Sequence, residues 1–459
     1  MKRKCPSIVV FLALLSAAVV TAAERTVETI APGLQHFALS KGKAAASKSY
    51  RIRIGVFVSQ TEADRQLERL QENGVTAFPI SFGGDYHIVT SGLPHRTEAE
   101  DLRHRLIEQG FSPPLEIEEI SHDLTHADGP WRIHVLEVDP TKVDVRVAHA
   151  YDAAIGLETT AELAVRRGAL AAVNGGYYYM KGLLAGDSRG ALEIADRLLS
   201  EPDRGRASVG FFVQNGATRS VFGRLGFRGE VHLTDGESVP LDGLNRKRDA
   251  SEIVLYTPDF HRTTLTPSEG TEVVIQNEHV TEILKGKGSS VIPSGGMVLS
   301  IGAERVAEVL PRIQSGEPAS IETKLLPLLP DPEGEWDRAE HIVSGGPLLL
   351  WKGKRLEEPE VESISRVFFL ARHPRTAAGV RADGTLLFVT VDGRRPEESV
   401  GMSLPELTDL MLELGAVSAI NLDGGGSTSM VIEGRIVNHP SGQGARQNAD
   451  AILLFPKKP

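Results

Sequence analysis

Cysteine is almost absent from the 459-residue sequence, which contains a single one, Cys5. It lies before a short apolar run at residues 8–20, whereas a lipoprotein signal places its acceptor cysteine at the cleavage position. We therefore expect no lipid anchor. If the N-terminal segment is removed, no cysteine remains, and the mature chain must be stabilised by core packing without disulfides.

The N-terminal apolar run is also too short for a membrane anchor. Lys2, Arg3 and Lys4 precede residues 8–20, and small residues follow at positions 21–23. These are the three parts of a secretory signal peptide, whereas a bilayer-spanning helix needs about 20 apolar residues. The sequence predicts a signal peptide at residues 1–23 and no stable membrane anchor after cleavage. It also predicts a bacterial protein that is periplasmic, secreted or attached to the cell wall.

The sequence also has no excess of positive charge. The formal net charge is −11, and it falls to −14 without Lys2, Arg3 and Lys4. A chain this acidic is a poor candidate for general nucleic-acid binding. We find no nucleotide P-loop, no dinucleotide glycine spacing and no dedicated metal motif in the sequence. No required cofactor is evident. A divalent cation such as calcium remains open, because paired aspartates and phosphate oxygens are hard ligands.

Three N-terminal segments differ in composition. Residues 24–49 are rich in small and polar side chains, which indicates a flexible tether. In residues 50–120, a strand pattern of alternating apolar residues is followed by a helix pattern, and this pair occurs twice, about 35 residues apart. Residues 121–130 are acidic, contain two histidines and are interpreted as a linker.

The repeated segment resembles the sporulation-related repeat (SPOR) domain. The matching positions are Ile54, Gly55, Phe57, Ala63, Leu67, Leu70, Gly74, Tyr86, Val89, Gly92, Ala99, Leu102 and Leu106. The resemblance implies a small ferredoxin-like βαββαβ fold at residues 50–120 that binds peptidoglycan or another cell-wall glycan. A generic βαβ lid or propeptide is the alternative interpretation.

The large remaining segment, residues 131–459, contains apolar runs that end in polar, glycine-rich turns. Two of these runs end at Asp392 and Asp423, and a helix with a capping box, Ser403 with Glu406, is predicted between them. Strand, crossover helix and strand predict parallel strands whose carboxyl ends share one edge of a sheet, where ligands of such sheets bind. We therefore expect the two aspartates to lie close together. Alternatively, each aspartate only caps a turn beside a glycine.

The turn after Asp423 has the composition of an anion site. Glycines at 424–426 let backbone N–H groups approach a phosphate, and Ser427 and Thr428 add hydroxyl donors. Arg375, which precedes Thr376, is a candidate bidentate clamp for the same phosphate. The alternative for Arg375 is an ordinary surface arginine.

Together these segments resemble the phosphodiester glycosidase family. The matching stretches are Val173-Asn-Gly-Gly-Tyr177, Leu241-Asp-Gly-Leu-Asn-Arg246, Val254-Leu-Tyr-Thr-Pro258, Ser344-Gly-Gly-Pro-Leu348, Arg375-Thr376, Val391-Asp-Gly-Arg394 and Asn421-Leu-Asp-Gly-Gly-Gly-Ser427. Where the family often has Glu-Arg near the end, this chain has Ala445-Arg446. The fold class that we predict for residues 131–459 is α+β or α/β, with a mixed sheet and helices.

The resemblance and the residues together predict the site. Asp423, Asp392 and Arg375 are the predicted catalytic residues, and which aspartate is nucleophile, acid or base is left open. The predicted substrate-binding residues are Asn174, Gly175, Gly176, Asn245, Arg246, Thr376, Asn421, Gly424, Gly425, Gly426, Ser427, Thr428 and Arg446. For Asn174 and Asn421, which would orient sugar hydroxyls, turn formation is the alternative role.

The predicted function is that of an exported hydrolase which cleaves the glycosidic bond of sugar-1-phosphodiesters in cell-envelope glycans. The small domain would direct it to peptidoglycan. Two alternatives remain at this level: a phosphodiesterase that breaks the P–O bond, and a non-catalytic protein that binds cell-wall glycans. Neither the sugar nor its anomeric configuration follows from the residues.

Overall fold

The computed structural model describes residues 24–42, 49–82, 85–112, 114–120, 129–152, 155–233, 236–395 and 397–457. The predicted signal peptide and most of the predicted linker lie outside these ranges. Within them, no helix is both long enough and apolar enough to cross a bilayer.

The first described residues form a hairpin of β1 (Glu24–Ala31) and β2 (Leu34–Lys41). The tether predicted for residues 24–49 is therefore wrong for this part. β2 pairs along its whole length with the later strand Trp131–Val138, and Leu34 and Phe37 are buried in two separate hydrophobic clusters. This burial offsets the entropy cost of ordering the segment.

A small domain, residues 49–120, follows the hairpin. Its elements are β3 (Ser49–Phe57), α1 (Gln60–Glu72), β4 (Ala77–Phe82), β5 (Asp85–Thr90), α2 (Arg96–Glu108) and β6 (Leu115–Ile120). The strands form an antiparallel sheet in the order β4-β5-β3-β6. Each helix buries an Ala-Leu-Leu stripe, with Ala63, Leu67 and Leu70 in α1 and the equivalent residues in α2. The predicted ferredoxin-like βαββαβ order is confirmed.

The large domain consists mainly of strands with a few short helices. Its helices are α3 (Thr160–Arg167), α4 (Val306–Val309), α5 (Arg366–Leu370) and α6 (Leu404–Glu413). Its strands are β7 (Trp131–Val138), β8 (Val143–His149), β9 (Glu158–Thr159), β10 (Ala171–Asn174), β11 (Leu192–Ile194), β12 (Arg197–Ser200), β13 (Ala207–Gln214), β14 (Ala217–His232), β15 (Ser238–Leu241), β16 (Gly243–Leu244), β17 (Ile253–Tyr256), β18 (Gly270–Gln276), β19 (His279–Lys285), β20 (Gly296–Gly302), β21 (Ser320–Pro327), β22 (His341–Ser344), β23 (Leu348–Trp351), β24 (Lys354–Arg355), β25 (Arg375–Arg381), β26 (Leu386–Val391), β27 (Ala416–Asn421), β28 (Met430–Ile432), β29 (Arg435–Ile436), β30 (Gln447–Asn448) and β31 (Asp450–Pro456). The predicted mixed fold of sheets with helices is confirmed.

Two sheets carry the site. The first has eight strands in the order β1-β2-β7-β26-β25-β27-β23-β24, and the second has five in the order β29-β28-β10-β31-β8. Leu386 and Phe388 of β26 pack into a core that the two sheets share, while Leu387 and Val389 pack under α6 on the opposite face. A strand buried on both faces has a continuous apolar run, which is why β26 lacks the alternation of a surface strand.

Helix α6 begins as the sequence predicts. The Ser403 side chain accepts a hydrogen bond from the Glu406 backbone, and the Glu406 carboxylate accepts one from the Ser403 backbone. The same capping box, Thr159 with Glu162, begins α3. Both helices are therefore determined by local sequence.

β26 and β27 run parallel to each other, as predicted, but they are not neighbours. β25 lies between them and is antiparallel to both. The first residue of β25, Arg375, pairs with Val391, and Ala377 pairs with Asn421. The carboxyl ends of β26 and β27 therefore lie at one edge of the sheet, on either side of the start of β25.

The small domain is an insertion in the large one. β2 precedes it and β7 follows it, and these two strands are adjacent and antiparallel. Lys41, the last residue of β2, pairs with Trp131, the first residue of β7. Both connections to the small domain therefore start from the same end of one strand pair.

Candidate active site

A cavity of about 620 Å³ opens where β10, β25 and β27 meet. Its lining includes the predicted residues Asp423 and Arg446 together with side chains that the sequence analysis did not select. These are the tyrosines Tyr177 and Tyr178, the arginines Arg189, Arg206 and Arg394, and the ring residues His373 and Phe368. The volume is in the range of small-molecule binding sites.

Asp423 is the only carboxylate in the lining, as far as the described residues show. Its Oδ1 accepts a hydrogen bond from the Gly424 N–H at 2.9 Å, and its own N–H donates to the Gly175 carbonyl at 3.0 Å. The surrounding protein atoms raise the pKa of Asp423 to about 6, against the lowering effects of Ser427, the Gly424 N–H and Arg446. At neutral pH the carboxylate is mainly ionised and can act as a nucleophile or base.

Two guanidinium groups lie against the glycine turn that follows Asp423. A Cβ atom on Gly425 would lie 3.1 Å from Nη2 of Arg394, and one on Gly426 would overlap the guanidinium of Arg446. Glycine at these positions leaves room for both cations, which an added Cβ atom would displace. Gly425 also has a positive φ of 62°.

Arg394 and Arg446 differ from the other two lining arginines in their ion pairs, as far as the described residues show. Within the described part of the chain, neither Arg394 nor Arg446 forms an ion pair, whereas Arg189 and Arg206 both reach Asp203, at 3.3 and 3.5 Å. Burial and the neighbouring charge of Arg446 lower the pKa of Arg394. Two positive charges without an ion pair among the described residues, beside a turn of backbone N–H groups, favour an anion such as phosphate.

His373 is held in its neutral form. Burial lowers its pKa to about 3, and the charges of Arg375 and Arg394 act in the same direction. Its ring stacks on Phe368, with 6.2 Å between the ring centroids. A neutral imidazole at the cavity wall can bind a substrate hydroxyl but does not add a third positive charge.

Tyr177 connects the cavity wall to the strand ends below. Its hydroxyl donates to the Gly346 carbonyl and accepts from Nδ2 of Asn421, both at 2.9 Å. Burial raises the pKa of Tyr177, so the phenol stays protonated. Asn421 is fully buried, and its Oδ1 finds no hydrogen-bond partner among the described residues. Asn421 thus positions Tyr177 from below the cavity.

Asn174 also has a structural role, because it connects the turns around Asp423. Its Oδ1 accepts hydrogen bonds from the Thr376 hydroxyl at 2.8 Å and the Ser429 N–H at 3.0 Å, and its Nδ2 donates to the Asp423 carbonyl at 2.7 Å. Asn174, Thr376, Ser427 and Thr428 are all buried. These predicted substrate-binding residues lie together, but they connect the turns that hold Asp423 and do not line the cavity.

Asp450 was missed by the sequence analysis. This buried carboxylate accepts hydrogen bonds from the Gly176 N–H at 2.7 Å and the Ser188 hydroxyl at 2.9 Å. A Cβ atom on Gly175 would overlap Asp450 Oδ1, which explains the glycine there. Burial raises the pKa of Asp450, and its charge raises that of Asp423. An acidic residue directly before the apolar run of β31 was the available signal.

Arg375 is not a phosphate clamp in this structure. It is 1% exposed, and its guanidinium donates to the backbone carbonyls of Met402, Phe368 and Ala371 at 2.8, 3.2 and 2.7 Å. Burial lowers its pKa to about 10. Arg375 is the first residue of β25, and the cavity segment 368–373 folds over it. Its hydrogen bonds to the Phe368 and Ala371 carbonyls hold that segment in place.

Asp392 does not share the cavity with Asp423, although both follow parallel strands at one edge. Its Oδ1 accepts hydrogen bonds from the His439 N–H at 2.9 Å and from Nδ2 of Asn438 at 3.2 Å. The carboxylate is directed at this later loop, which covers it. Asp392 and Asp423 therefore do not line one cavity as expected. The alternative of a cap on its own Asp-Gly turn does not describe Asp392 either, because its Oδ1 accepts from a loop more than 40 residues away.

Asn245 and Arg246 also lie outside the cavity. Asn245 is fully buried and bonds to Leu199 and Thr257. Arg246 forms ion pairs with Glu201 and with Glu252, and it lines a separate polar cavity of about 580 Å³. Both residues stabilise the loop after β16 instead of touching the Asp423 cavity.

The comparisons with known proteins match both parts of the chain. Residues 269–455 match the phosphodiester glycosidase family, and residues 46–114 match the SPOR domain. The two resemblances seen in the sequence are thereby confirmed for these segments.

Over 83 residues, the chain is 40% identical to a curated protein, the SPbeta prophage-derived uncharacterized protein YomE of Bacillus subtilis. The match covers 18% of this chain and 13% of YomE. Another match, over 85 residues, is 39% identical to N-acetylglucosamine-1-phosphodiester alpha-N-acetylglucosaminidase of Bos taurus, covering 18% of this chain and 16% of that enzyme. The chain thus matches less than a fifth of the length of these curated relatives.

Two solved structures share the fold over almost the whole chain. A protein of Burkholderia pseudomallei has a TM-score of 0.71 at 24% identity, over 95% of this chain and 96% of that one. A hypothetical protein from Synechocystis has a TM-score of 0.62 at 18% identity, over 95% of this chain and 80% of that one.

Proposed function

Because residues 269–455 match the phosphodiester glycosidases and residues 46–114 match the SPOR domain, we propose that the protein hydrolyses sugar-1-phosphodiesters at the glycosidic bond. The observation that carries the proposal is the juxtaposition of Asp423, the sole carboxylate in the described cavity lining, with the guanidiniums of Arg394 and Arg446, which form no ion pair among the described residues. The phosphate binds at the end of the cavity that carries the two guanidiniums, and the sugar binds beside Asp423.

At the phosphate end, Arg394, Arg446 and the turn at Gly424 to Gly426 bind the leaving group. When the bond between the anomeric carbon and the phosphate oxygen breaks, that oxygen keeps the electron pair and the phosphodiester becomes a phosphomonoester. Stabilising this developing charge with fixed cations and N–H groups lowers the barrier. Phosphate is already a fair leaving group, so little acid assistance is needed.

At the sugar end, Asp423 acts on the anomeric carbon. As a nucleophile it forms a glycosyl ester that water then hydrolyses; as a base it takes a proton from the water that attacks. In both cases water supplies the new hydroxyl of the free sugar, and one proton is released. Gly175, Asn174 and Asp450 hold the Asp423 backbone and turn in place for this role.

The experiment is incubation of the purified full-length protein with UDP-N-acetylglucosamine or a methyl-phosphoryl analogue, with the products resolved by mass spectrometry. Free sugar together with UDP, or with methyl phosphate from the analogue, supports the proposal. Sugar phosphate would instead indicate cleavage of the P–O bond, and no product with any sugar would favour a glycan-binding protein.

A matched pair of variants tests the role of Asp423. Asp423→Asn should abolish turnover without lowering the melting temperature. Asp337→Asn, which changes an exposed aspartate in a surface turn, should leave turnover unchanged. Turnover retained in Asp423→Asn would exclude this carboxylate from the chemistry.

The same proposal places the protein in the bacterial envelope, exported by residues 1–23 and bound to peptidoglycan through the small domain. Cosedimentation with purified peptidoglycan sacculi, together with fractionation of the expressing cells, tests this. A protein that stays in the cytoplasm, or in the supernatant above the sacculi, would contradict it.

A further inference from the structure

The small domain forms part of the wall of the active-site cavity. Gln60 at the start of α1, Pro79 in β4 and Tyr86 in β5 line the same cavity as Asp423 and Arg446. Residues far apart in sequence, from two domains, therefore face one open cavity.

The pairing of β2 with β7 limits the orientation of the small domain relative to the large one. The strands that enter and leave it, β2 and β7, are hydrogen-bonded to each other up to the Lys41–Trp131 pair. A domain with two closely spaced anchor points samples fewer orientations than one on a single flexible tether.

Helix α5 of the large domain is packed into the small domain. Val367 is 5% exposed and belongs to the small domain's hydrophobic cluster, and its N–H donates to Asp64 Oδ1 at 2.9 Å. The Asp64 carboxylate thereby joins the two domains. The guanidinium of Arg372 lies 5.5 Å from the ring centroid of Phe78 and is also paired with Glu406.

The junction continues directly into the site. Phe368, the residue after Val367, lines the cavity and lies 6.5 Å from Tyr177 between ring centroids. The guanidinium of Arg375 lies 4.8 Å from the same ring. Phe368 thus forms the floor between the Asp423 end and the small-domain end.

The two ends of the cavity differ in charge. All four lining arginines, and Asp423, come from the large domain, whereas the side chains that the small domain contributes are neutral: an amide, a proline and a phenol. Uncharged polar and aromatic groups suit sugar rings, which present hydroxyls at their edges and C–H groups on their faces. The charged end suits phosphate.

We propose that the cavity is one composite glycan site, in which a glycan chain bound by Gln60 and Tyr86 extends across Phe368 to the sugar phosphate at Asp423. This inference rests on the proposed function and deepens it. The substrate is then a sugar-1-phosphodiester carried on a cell-wall glycan chain, and the small domain contributes to its specificity in addition to recruitment.

The test uses N-acetylchitotetraose, a soluble neutral glycan, as the probe. Calorimetric titration of the full-length protein should show binding, and the probe should inhibit hydrolysis of the methyl-phosphoryl substrate competitively. Gln60→Ala should weaken binding, and Tyr86→Leu should weaken it about fivefold, which corresponds to roughly 1 kcal/mol of aromatic contact.

The control is Gln71→Ala, which removes an exposed glutamine near the other end of the same helix and should bind like the parent protein. Tyr86 also packs on the small-domain core, so the melting temperature of Tyr86→Leu is compared with that of the parent protein. Gln60 is exposed, and its variant tests the proposal without a change in core packing. Absent binding, binding that is not competitive, or unchanged affinity in Gln60→Ala and Tyr86→Leu would overturn the inference.

The titration does not depend on turnover. If no sugar is released from any substrate, the proposed function fails, yet the affinities still show whether glycan binds in the composite cavity. If sugar is released but the probe does not compete, the proposed function stands and the composite site is refuted.

Discussion

Replacement of Gly426 by alanine should slow catalysis without unfolding the protein. The new Cβ atom would lie 2.8 Å from Nε of Arg446 and closer still to its Cζ and Nη2, so the cation must retreat by about 1 Å to reach ordinary contact distance. The backbone at Gly426 is not in the left-handed region, so alanine adds no backbone strain.

The expected loss follows from one displaced charged contact. A hydrogen bond to a charged group contributes about 1.5–3 kcal/mol, and a shift of the guanidinium by about 1 Å removes most of it. At about 1.4 kcal/mol per tenfold change, kcat/KM should fall roughly 10- to 100-fold. The assay measures initial rates of free-sugar release together with the melting temperature.

Gly444→Ala is the matched control. It lies two residues before Arg446 in the same loop, its φ is not positive, and a Cβ atom there would contact nothing within 4 Å. This variant should keep the parent kcat/KM. Equal losses in both variants, or no loss in Gly426→Ala, would refute the role assigned to the Arg446 guanidinium at the glycine turn.

Four further predictions follow from the site. Burial raises the pKa of Asp423 to about 6, so kcat/KM should be high above this pH. It should fall as the pH drops through about 6, because the carboxylate becomes protonated. A flat profile from about pH 8 to 4.5 would contradict this. Arg375→Met removes the guanidinium that donates to the carbonyls of Met402, Phe368 and Ala371, although the His373 N–H still donates to Met402. The variant should lower the free energy of unfolding by about 2 kcal/mol or more, measured by urea unfolding, and a stability equal to the parent would disprove a supporting role. Asp64→Ala removes the hydrogen bond to Val367 and should lower the free energy of unfolding by about 1 kcal/mol and raise proteolysis at the domain junction, whereas Asp101→Ala on the exposed side of α2 should do neither. Dialysis against EDTA should leave turnover intact, because guanidiniums neutralise the phosphate; activity restored only by added calcium would reverse that expectation.

The sequence determines the local elements well, because their causes are local. The capping box of Ser403 and Glu406 begins α6, and the uninterrupted apolar runs of β26 and β27 mark strands covered on both faces. The right-handed crossover also predicts that both strands run in the same direction. Asp423, with its glycine turn, was selected on this basis and does line the cavity.

The tertiary structure decides which charged groups reach that cavity. Asp392 directly follows β26, whereas Asp423 lies two residues after the end of β27, and the loop carrying Asn438 and His439 folds over Asp392. Arg375 is buried because the segment 368–373 and Met402 surround it. Arg394, the last residue of a motif quoted in the sequence analysis, was not selected as a site residue because nothing local shows that it faces Gly425.

The same distinction explains the N-terminal part. The βαββαβ order of the small domain follows from its own alternating and helical patterns, which need no distant partner. The strand β2 is different: its hydrogen-bonding partner β7 comes 90 residues later, so its sequence alone resembles a tether. The entry of Gln60, Pro79 and Tyr86 into the cavity depends on that pairing and on Val367 packing into the other domain. Propensity and capping depend on neighbours in sequence, whereas burial and charge pairing depend on which segments meet in space.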